Sequence, residues 1–330
     1  MTRRISASIV VLVGLVFIVL TFASNLFTVG PAFEKMTDGF RPVMQTQDLQ
    51  ALQRDVTGLA AAGTEFGTKV VPALADRLNT TPEEFSTLLG QQFPDSATGV
   101  AAIPQITVQF NGVTGLLTAE QGRFERADAI PTSSLPATTV PWSLLFVGIV
   151  TVGVGLAMFT FRNAVMAALV LGSIVVVVPL AMSLPSKAQA ADTMNDHLRP
   201  VYTAELVAGA RQSLGIVQAM ATDMQTRVFP FLEQQLRIDS VQLQAFLGGN
   251  FPALAGALGN LPASSARFQS TVGTFDTQLA NYDKIKSTQL VPIVWTAIAG
   301  GVVTMLASGW AIGRRREIAP ALPRRETRAA

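Results

Sequence analysis

Four apolar runs constrain this chain more than any other feature, because a helix of about 20 apolar residues matches the hydrocarbon thickness of a bilayer. The runs contain no Asp, Glu, Lys or His, and they are Ile5–Ala23, Pro141–Phe161, Asn163–Leu184 and Val291–Gly313. Only 14% of the chain is charged, which leaves too little polar surface for an ordinary soluble domain. The sequence therefore predicts an all-α membrane protein with four transmembrane helices.

The arginines that flank these runs predict how the chain is oriented. The short segments 1–4, 162 and 314–330 hold nine arginines against two glutamates. Segment 24–140 holds seven basic and twelve acidic residues, and segment 185–290 holds eight of each. Under the positive-inside rule the arginine-rich segments are cytoplasmic. We therefore expect a multi-pass cell-membrane protein with both termini in the cytoplasm and two large extracytoplasmic domains. Nineteen arginines against five lysines fit a bacterium of high GC content.

The two long segments between the runs match each other at a constant offset of 158 residues. No gap is needed between Met36 and Phe124. The best matches pair Met36–Val43 with Met194–Val201, Lys69–Leu74 with Arg227–Leu232, and Phe93-Pro94 with Phe251-Pro252. We interpret this pattern as an internal duplication in which each copy consists of span, helical domain and span. The first run then corresponds to the third, which is internal, so a retained first helix is favoured over a cleaved signal peptide.

Both long segments have the spacing of helical bundles, since apolar residues recur at intervals of three and four. The first of these helices is expected to continue out of the first span. Thr81 with Glu84, and Asp239 with Gln242, predict capping boxes at equivalent helix starts. The predicted organisation is an N-terminal tail and first span (1–23), a first extracytoplasmic helical domain (24–140), a second span (141–161), a tight cytoplasmic turn and third span (162–184), a second extracytoplasmic helical domain (185–290), a fourth span (291–313) and a basic cytoplasmic tail (314–330).

Composition excludes several kinds of chemistry. The chain has no cysteine, which excludes disulfides, thiolate metal sites and cysteine nucleophiles. Its single histidine, His197, excludes a zinc site built on several imidazoles. The nucleotide-binding and hydrolase motifs GxGxxG, GxxxxGK[ST] and GxSxG do not occur. We therefore predict no catalytic, cofactor-binding or metal-binding residues and no enzymatic activity. The basic pI follows from the predicted topology, so no nucleic-acid partner is expected.

A repeated Asp-x-x-Arg-Pro block is the main polar feature that the two copies share. It places Asp38 with Arg41 in the first copy and Asp196 with Arg199 in the second. Two such pairs could bind a protein partner or an anionic group such as a lipid phosphate. Alternatively, Asp and Arg three residues apart form an ion pair on a helix surface, and the proline marks a kink. The structural interpretation is favoured. His197 replaces Gly39 of the first copy and is expected to be a surface residue.

The leading functional hypothesis is a non-enzymatic scaffold or accessory subunit whose duplicated outer domains bind another envelope protein. The alternative is an extracytoplasmic sensor, or a protein that binds a lipid or another small molecule in a groove between its helices. An enzyme or transporter is disfavoured, because the spans contain no ionisable residue. Small residues at Gly300, Thr304 and Ser308 would let helices approach closely, either within the chain or against a partner. The bilayer is the remaining expected partner.

Overall fold

The computed structural model describes residues 2–132 and 134–317, and within them every regular element is helical. The all-α prediction is confirmed for this part of the chain. In chain order the helices are α1 (Thr2–Ala23), α2 (Leu26–Phe40), α3 (Thr46–Glu65), α4 (Val71–Arg77), α5 (Pro82–Gln92), α6 (Pro94–Asp128), α7 (Thr139–Thr160), α8 (Ala164–Ala181), α9 (Leu184–Leu198), α10 (Ala204–Asp223), α11 (Phe229–Leu236), α12 (Ser240–Asn250), α13 (Pro252–Ile285) and α14 (Leu290–Glu317). Five-residue π-helical segments follow α3 and α10, at Phe66–Val70 and Met224–Val228. Most of the predicted basic tail, from residue 318 onward, lies outside the described residues.

Four helices of the described chain, α1, α7, α8 and α14, are long and apolar enough to cross a membrane. They coincide with the four predicted runs, so the four-span prediction is confirmed at the level of length and composition. The expectation that the first span continues into the next helix is wrong. Asn25 adopts a left-handed conformation with φ of 51° and separates α1 from α2. Asparagine tolerates this conformation better than most residues, which is why the helix stops there.

The first of two compact units contains the spans and comprises Met1–Thr37, Arg123–Asp196 and Asn281–Ala330. Within it α1 packs against α7 and α14, and α8 packs against the same two helices. One buried cluster joins all four spans and consists of Ala7, Val10, Met158, Val165, Ala168, Ala307 and Ala311, and a second contains Val13, Phe17 and Val175. Small side chains predominate in the first cluster, as expected where helices approach closely in a membrane.

Glycines set the distance between the spans at two crossings. A Cβ atom added to Gly14 would lie 2.8 Å from the carbonyl oxygen of Gly148. A Cβ atom added to Gly172 would lie 2.9 Å from the carbonyl oxygen of Gly301. Gly14 and Gly172 are 158 residues apart, which is the offset found between the two long segments.

The small residues noted in α14 pack within the chain. A side chain at Gly300 would collide with the Phe17 ring of α1. Thr304 and Ser308 are buried, and each donates a hydroxyl hydrogen bond to a backbone carbonyl one turn earlier. The sequence left open whether these small residues contact another helix of the same chain or a partner protein. The structure shows contact with a helix of the same chain.

The second compact unit comprises Asp38–Gly122 and His197–Ala280. Its elements recur at the offset of 158 residues: the two π-helical segments, the starts of α5 and α12, and the starts of α6 and α13. Both predicted capping boxes are confirmed, with Thr81 accepting from the Glu84 N–H and Asp239 from the Gln242 N–H. Phe93 and Phe251 end α5 and α12 as buried residues, so the Phe-Pro pairs serve as helix breaks.

Candidate functional site

The four polar residues singled out in the sequence lie on the surface. Asp38 and Arg41 form an ion pair of 3.0 Å in the second unit, and their side chains are 55% and 56% exposed. Such exposed pairs contribute little to stability. Asp196 and Arg199 are also exposed, but the boundary between the two compact units falls between them. Their joint role as a binding site for an anion or a partner stays a prediction.

The second unit contains a cavity of about 300 Å³. It is partly open to solvent and is bordered by α3, α6, α10 and α13, which are the long helices of the two segments that match at 158 residues. The lining residues are Arg54, Asp55, Val56, Gly58, Leu59, Ala61, Ile106, Phe110, Leu214, Val217, Pro252, Ala253, Gly256, Ala257, Asn260, Leu261, Ser264, Ser265 and Phe268. A volume of this size lies at the lower end of the range for small-molecule sites.

Residues that lie 158 positions apart in the chain meet at this cavity. The rings of Phe110 and Phe268, which are 158 residues apart, make an edge contact with centroids 4.8 Å apart. Val56 of α3 and its counterpart Leu214 of α10 also line the cavity. Most of the wall is therefore aliphatic or aromatic, and an apolar molecule placed there would be removed from water.

At four positions of the cavity wall, α13 carries a smaller side chain than α6 carries at the equivalent position. The small residues of α13 are Ala253, Gly256, Ser264 and Ser265. Their counterparts in α6, 158 residues earlier, are Asp95, Thr98, Ile106 and Thr107. Ala257 and Asn260 reverse this relation, since their counterparts are Gly99 and Ala102. No atom lies within 4 Å of a Cβ added at Gly256, so a larger residue there would extend into open space. The two copies therefore differ at positions that help to keep this space unfilled.

One polar cluster borders the apolar wall. Arg267 donates two hydrogen bonds to Asp55, at 2.7 Å to Oδ2 and 2.8 Å to Oδ1, and Ser264 donates a third at 2.8 Å to Oδ1. The hydrogen bonds to Asp55 raise the pKa of the Arg267 guanidinium above its ordinary value. Because Asp55 is already neutralised, the cluster adds little net charge to the cavity.

Arg54 is the cationic side chain on the cavity lining. It is exposed, and its one recorded hydrogen bond within the described residues runs from Nε to the Gln50 carbonyl at 3.3 Å. Its terminal guanidinium nitrogens have no recorded protein acceptor in that part of the chain. The cavity thus combines an apolar wall with one available positive group at its edge.

Buried carboxylates at helix starts are a feature that the sequence analysis missed. Leu254, near the start of α13, donates its N–H to Glu65 at 2.9 Å. Ser96, near the start of α6, donates its N–H and hydroxyl to Asp223 at 3.1 and 2.8 Å. Glu65 and Asp223 are 158 residues apart, so the retention of an acidic residue in both copies was the available signal. Both stabilise the positive end of a helix dipole.

The first unit has an equivalent arrangement. Glu34 accepts the Thr138 N–H at 3.2 Å just before α7, and Asp192 accepts the Leu290 and Val291 N–H groups at the start of α14. Burial raises the pKa of the Asp192 carboxyl above its ordinary value, against the lowering effect of the two backbone hydrogen bonds. These carboxylates accept backbone hydrogen bonds, which gives them a structural role at helix starts.

His197 is half-exposed, as expected for a surface residue, but it also contacts a buried acid. Its Nδ1 lies 2.7 Å from Oε1 of Glu120, whose side chain is only 3% exposed. In the other copy the equivalent residues are Gly39 and Gln278, and the amide of Gln278 occupies the space beside Gly39. The histidine therefore replaces a packing contact with a polar one.

The described residues contain no group of three or more His, Asp or Glu side chains that would hold a metal ion. The cavity of the second unit offers partly covered apolar surface with one cationic side chain, Arg54, on its lining. No protein-family model matches this chain, and comparison with curated proteins and with solved structures finds no match.

Proposed function

We propose that this protein is a non-enzymatic membrane protein that binds an apolar small molecule or lipid in the cavity of its second unit. The observation that carries the proposal is the 300 Å³ cavity, whose wall is mostly apolar and includes small residues of α13. Ligand sites are characteristically enclosed, largely apolar and bordered by a few polar groups. This is the sensor or lipid-binding alternative of the sequence analysis.

The scaffold or accessory-subunit hypothesis stays a prediction. A contiguous exposed apolar patch of several hundred Å² would favour a docking surface for another protein. The large apolar side chains recorded as exposed in the second unit, Val108, Val201 and Val241, lie on three separate segments of the described chain. The cavity is therefore the stronger basis for a function.

We further propose that the second unit arose by duplication and is extracytoplasmic. The supporting observations are the recurrence of helix starts at 158 residues and the arginines at the cytoplasmic ends of the predicted spans. In this arrangement the cavity would take its ligand from outside the cytoplasm.

The proposed topology predicts which single cysteines an impermeant maleimide labels. The natural chain has no cysteine, so each substitution gives an unambiguous signal. Gln91→Cys and Val241→Cys, both at exposed positions of the second unit, are expected to react in intact cells. Asn163→Cys, between α7 and α8, is expected to react only after permeabilisation. Labelling in the reverse pattern would contradict the proposed orientation.

The binding proposal is tested by photolabelling the full chain with an apolar carbene precursor, phenyl(trifluoromethyl)diazirine, and mapping the adducts by mass spectrometry. We expect adducts on the cavity-facing peptides of α3, α10 and α13. Gly256→Leu places a side chain in the open space of the cavity and is expected to reduce these adducts about tenfold. Adducts on the four apolar spans serve as the internal standard.

Gly259→Leu is the matched control. It lies on the same helix, its added side chain also meets open space, and it does not line the cavity. Both substitutions replace a helical glycine with a good helix former, so any general effect on α13 is shared. Gly58→Leu fills the cavity from α3 and is expected to behave like Gly256→Leu. Equal cavity labelling in the wild type, Gly256→Leu and Gly58→Leu would overturn the proposal.

A further inference from the structure

The cavity belongs to a row of apolar voids. One void of about 30 Å³ shares Leu59, Ala257 and Leu261 with the cavity lining. A second void of about 30 Å³ shares Phe110 and Phe268 with it. Both smaller voids are bordered by the same helices that enclose the cavity. Along α3 the lining runs from Leu52 at one void, through residues 54–61 at the cavity, to Ala62 at the other void, so the three spaces together suit an elongated molecule.

The charge at the cavity edge selects the head group of such a molecule. Asp55 is held by the bidentate contact with Arg267, so it has little remaining capacity to bind a cation. Arg54 has unused donors on its terminal nitrogens within the described residues and lies on the cavity lining. A guanidinium fork matches the geometry of a carboxylate or a phosphate.

We propose that the cavity binds a single acyl chain that carries an anionic head, with the chain along the apolar wall and the head at Arg54. This inference rests on the proposed function and specifies its ligand. The shared chemistry is one linear hydrocarbon chain with a carboxylate or phosphate end. A free fatty acid and a lysophospholipid are the two sources of that chemistry.

The test measures competition against the photolabelling of the cavity peptides in the full chain. Dodecanoate, dodecanol and a lysophosphatidic acid of the same chain length are added below their micellar concentrations. Dodecanoate is expected to compete at about a fivefold lower concentration than dodecanol, because an ion pair at a partly exposed site is worth about 1 kcal/mol. Either anionic compound competing ahead of the alcohol supports the proposal, and the better of the two identifies the head group.

Arg54→Gln removes the charge while it keeps much of the side-chain length. We expect this variant to bind dodecanoate about fivefold more weakly than the wild type does. Its affinity for dodecanol is expected to change by less than about twofold. Arg237→Gln is the control, because Arg237 follows the end of α11, is exposed and does not line the cavity. This control variant is expected to bind both compounds as tightly as the wild type does.

Three results would overturn the assignment of the ligand. They are equal competition by dodecanoate and dodecanol, no competition by any of the compounds, and a loss in Arg237→Gln as large as that expected for Arg54→Gln. In each case the cavity peptides would still be labelled in the absence of competitor, so the proposed function would stand. Absence of cavity labelling in the wild type would instead reject the proposed function itself.

Discussion

Gly172→Val is expected to prevent α8 and α14 from packing at their present distance. The Cβ atom alone would lie 2.9 Å from the Gly301 carbonyl oxygen and 3.1 Å from the Met305 nitrogen. These are backbone atoms of a helix, so they cannot rotate away as a side-chain end would. Overpacking of this kind costs about 2–3 kcal/mol, and we expect the apparent Tm in detergent to fall by about 5 °C or more.

Gly309→Val provides the control for this prediction. Gly309 is an exposed residue of α14, and a Cβ atom added there would have no atom within 4 Å. The Tm of the Gly309→Val variant is therefore expected to stay close to that of the wild type. Gly14→Val tests the equivalent crossing, where the added Cβ would lie 2.7 Å from the Val152 nitrogen, and is expected to resemble Gly172→Val. A wild-type Tm for both Gly14→Val and Gly172→Val would show that the spans do not pack as described.

Asp223→Ala is expected to produce the largest loss of stability among the polar substitutions. Asp223 is 4% exposed and accepts hydrogen bonds from the N–H and hydroxyl of Ser96, which is fully buried. It also accepts a hydrogen bond from Arg227 at 3.0 Å. Alanine would leave buried donors without an acceptor and remove a negative charge from the start of α6. We expect a loss of about 3 kcal/mol in the free energy of unfolding, measured as a lower apparent Tm.

The matched control is Asp38→Ala. Asp38 also pairs with an arginine on a neighbouring turn, but both partners are more than half exposed. Loss of the Asp38–Arg41 ion pair is expected to lower the free energy of unfolding by less than about 0.5 kcal/mol. Equal effects of the two substitutions would contradict the view that burial of the Asp223 cluster makes it stabilising.

The spans and several helix starts could be predicted from the sequence because they depend on residues that are close together in the chain. Uninterrupted apolar runs predicted α1, α7, α8 and α14, and local capping residues predicted the starts of α5 and α12. The break at Asn25 was missed. A single left-handed residue interrupts a helix without disturbing the apolar spacing on either side.

The cavity was not accessible from the sequence, because its volume depends on side chains from four helices far apart in the chain. Ala253 and Gly256 are compatible with a packed helix as well as with a cavity, and only the position of α3 and α10 decides between them. Comparison of the two copies held part of the answer, since Thr98 and Ile106 in α6 are replaced by glycine and serine in α13. The same comparison would have singled out Glu65 and Asp223 as acidic residues at equivalent positions of the two segments.

The contrast between the copies also has a functional meaning under the proposed activity. In α6 the residue Gly99 packs against Met220, so a side chain there would collide with it. In α13 the equivalent residue Ala257 lines the cavity. Both helices line the cavity, α6 through Ile106 and Phe110 and α13 through a longer series of residues. Under the proposed duplication, the α13 copy has acquired the larger share of the binding surface. Stability and binding would then depend on different residues of the same architecture.

The most direct test of the central claim is native mass spectrometry of the full chain released from its own membrane in mild detergent. The proposal predicts a bound small molecule, about one per chain, on the wild type and on Gly259→Leu, and its absence from Gly256→Leu, whose added side chain occupies the cavity. No bound molecule on the wild type, or the same bound molecule on Gly256→Leu, would contradict a ligand site in this cavity.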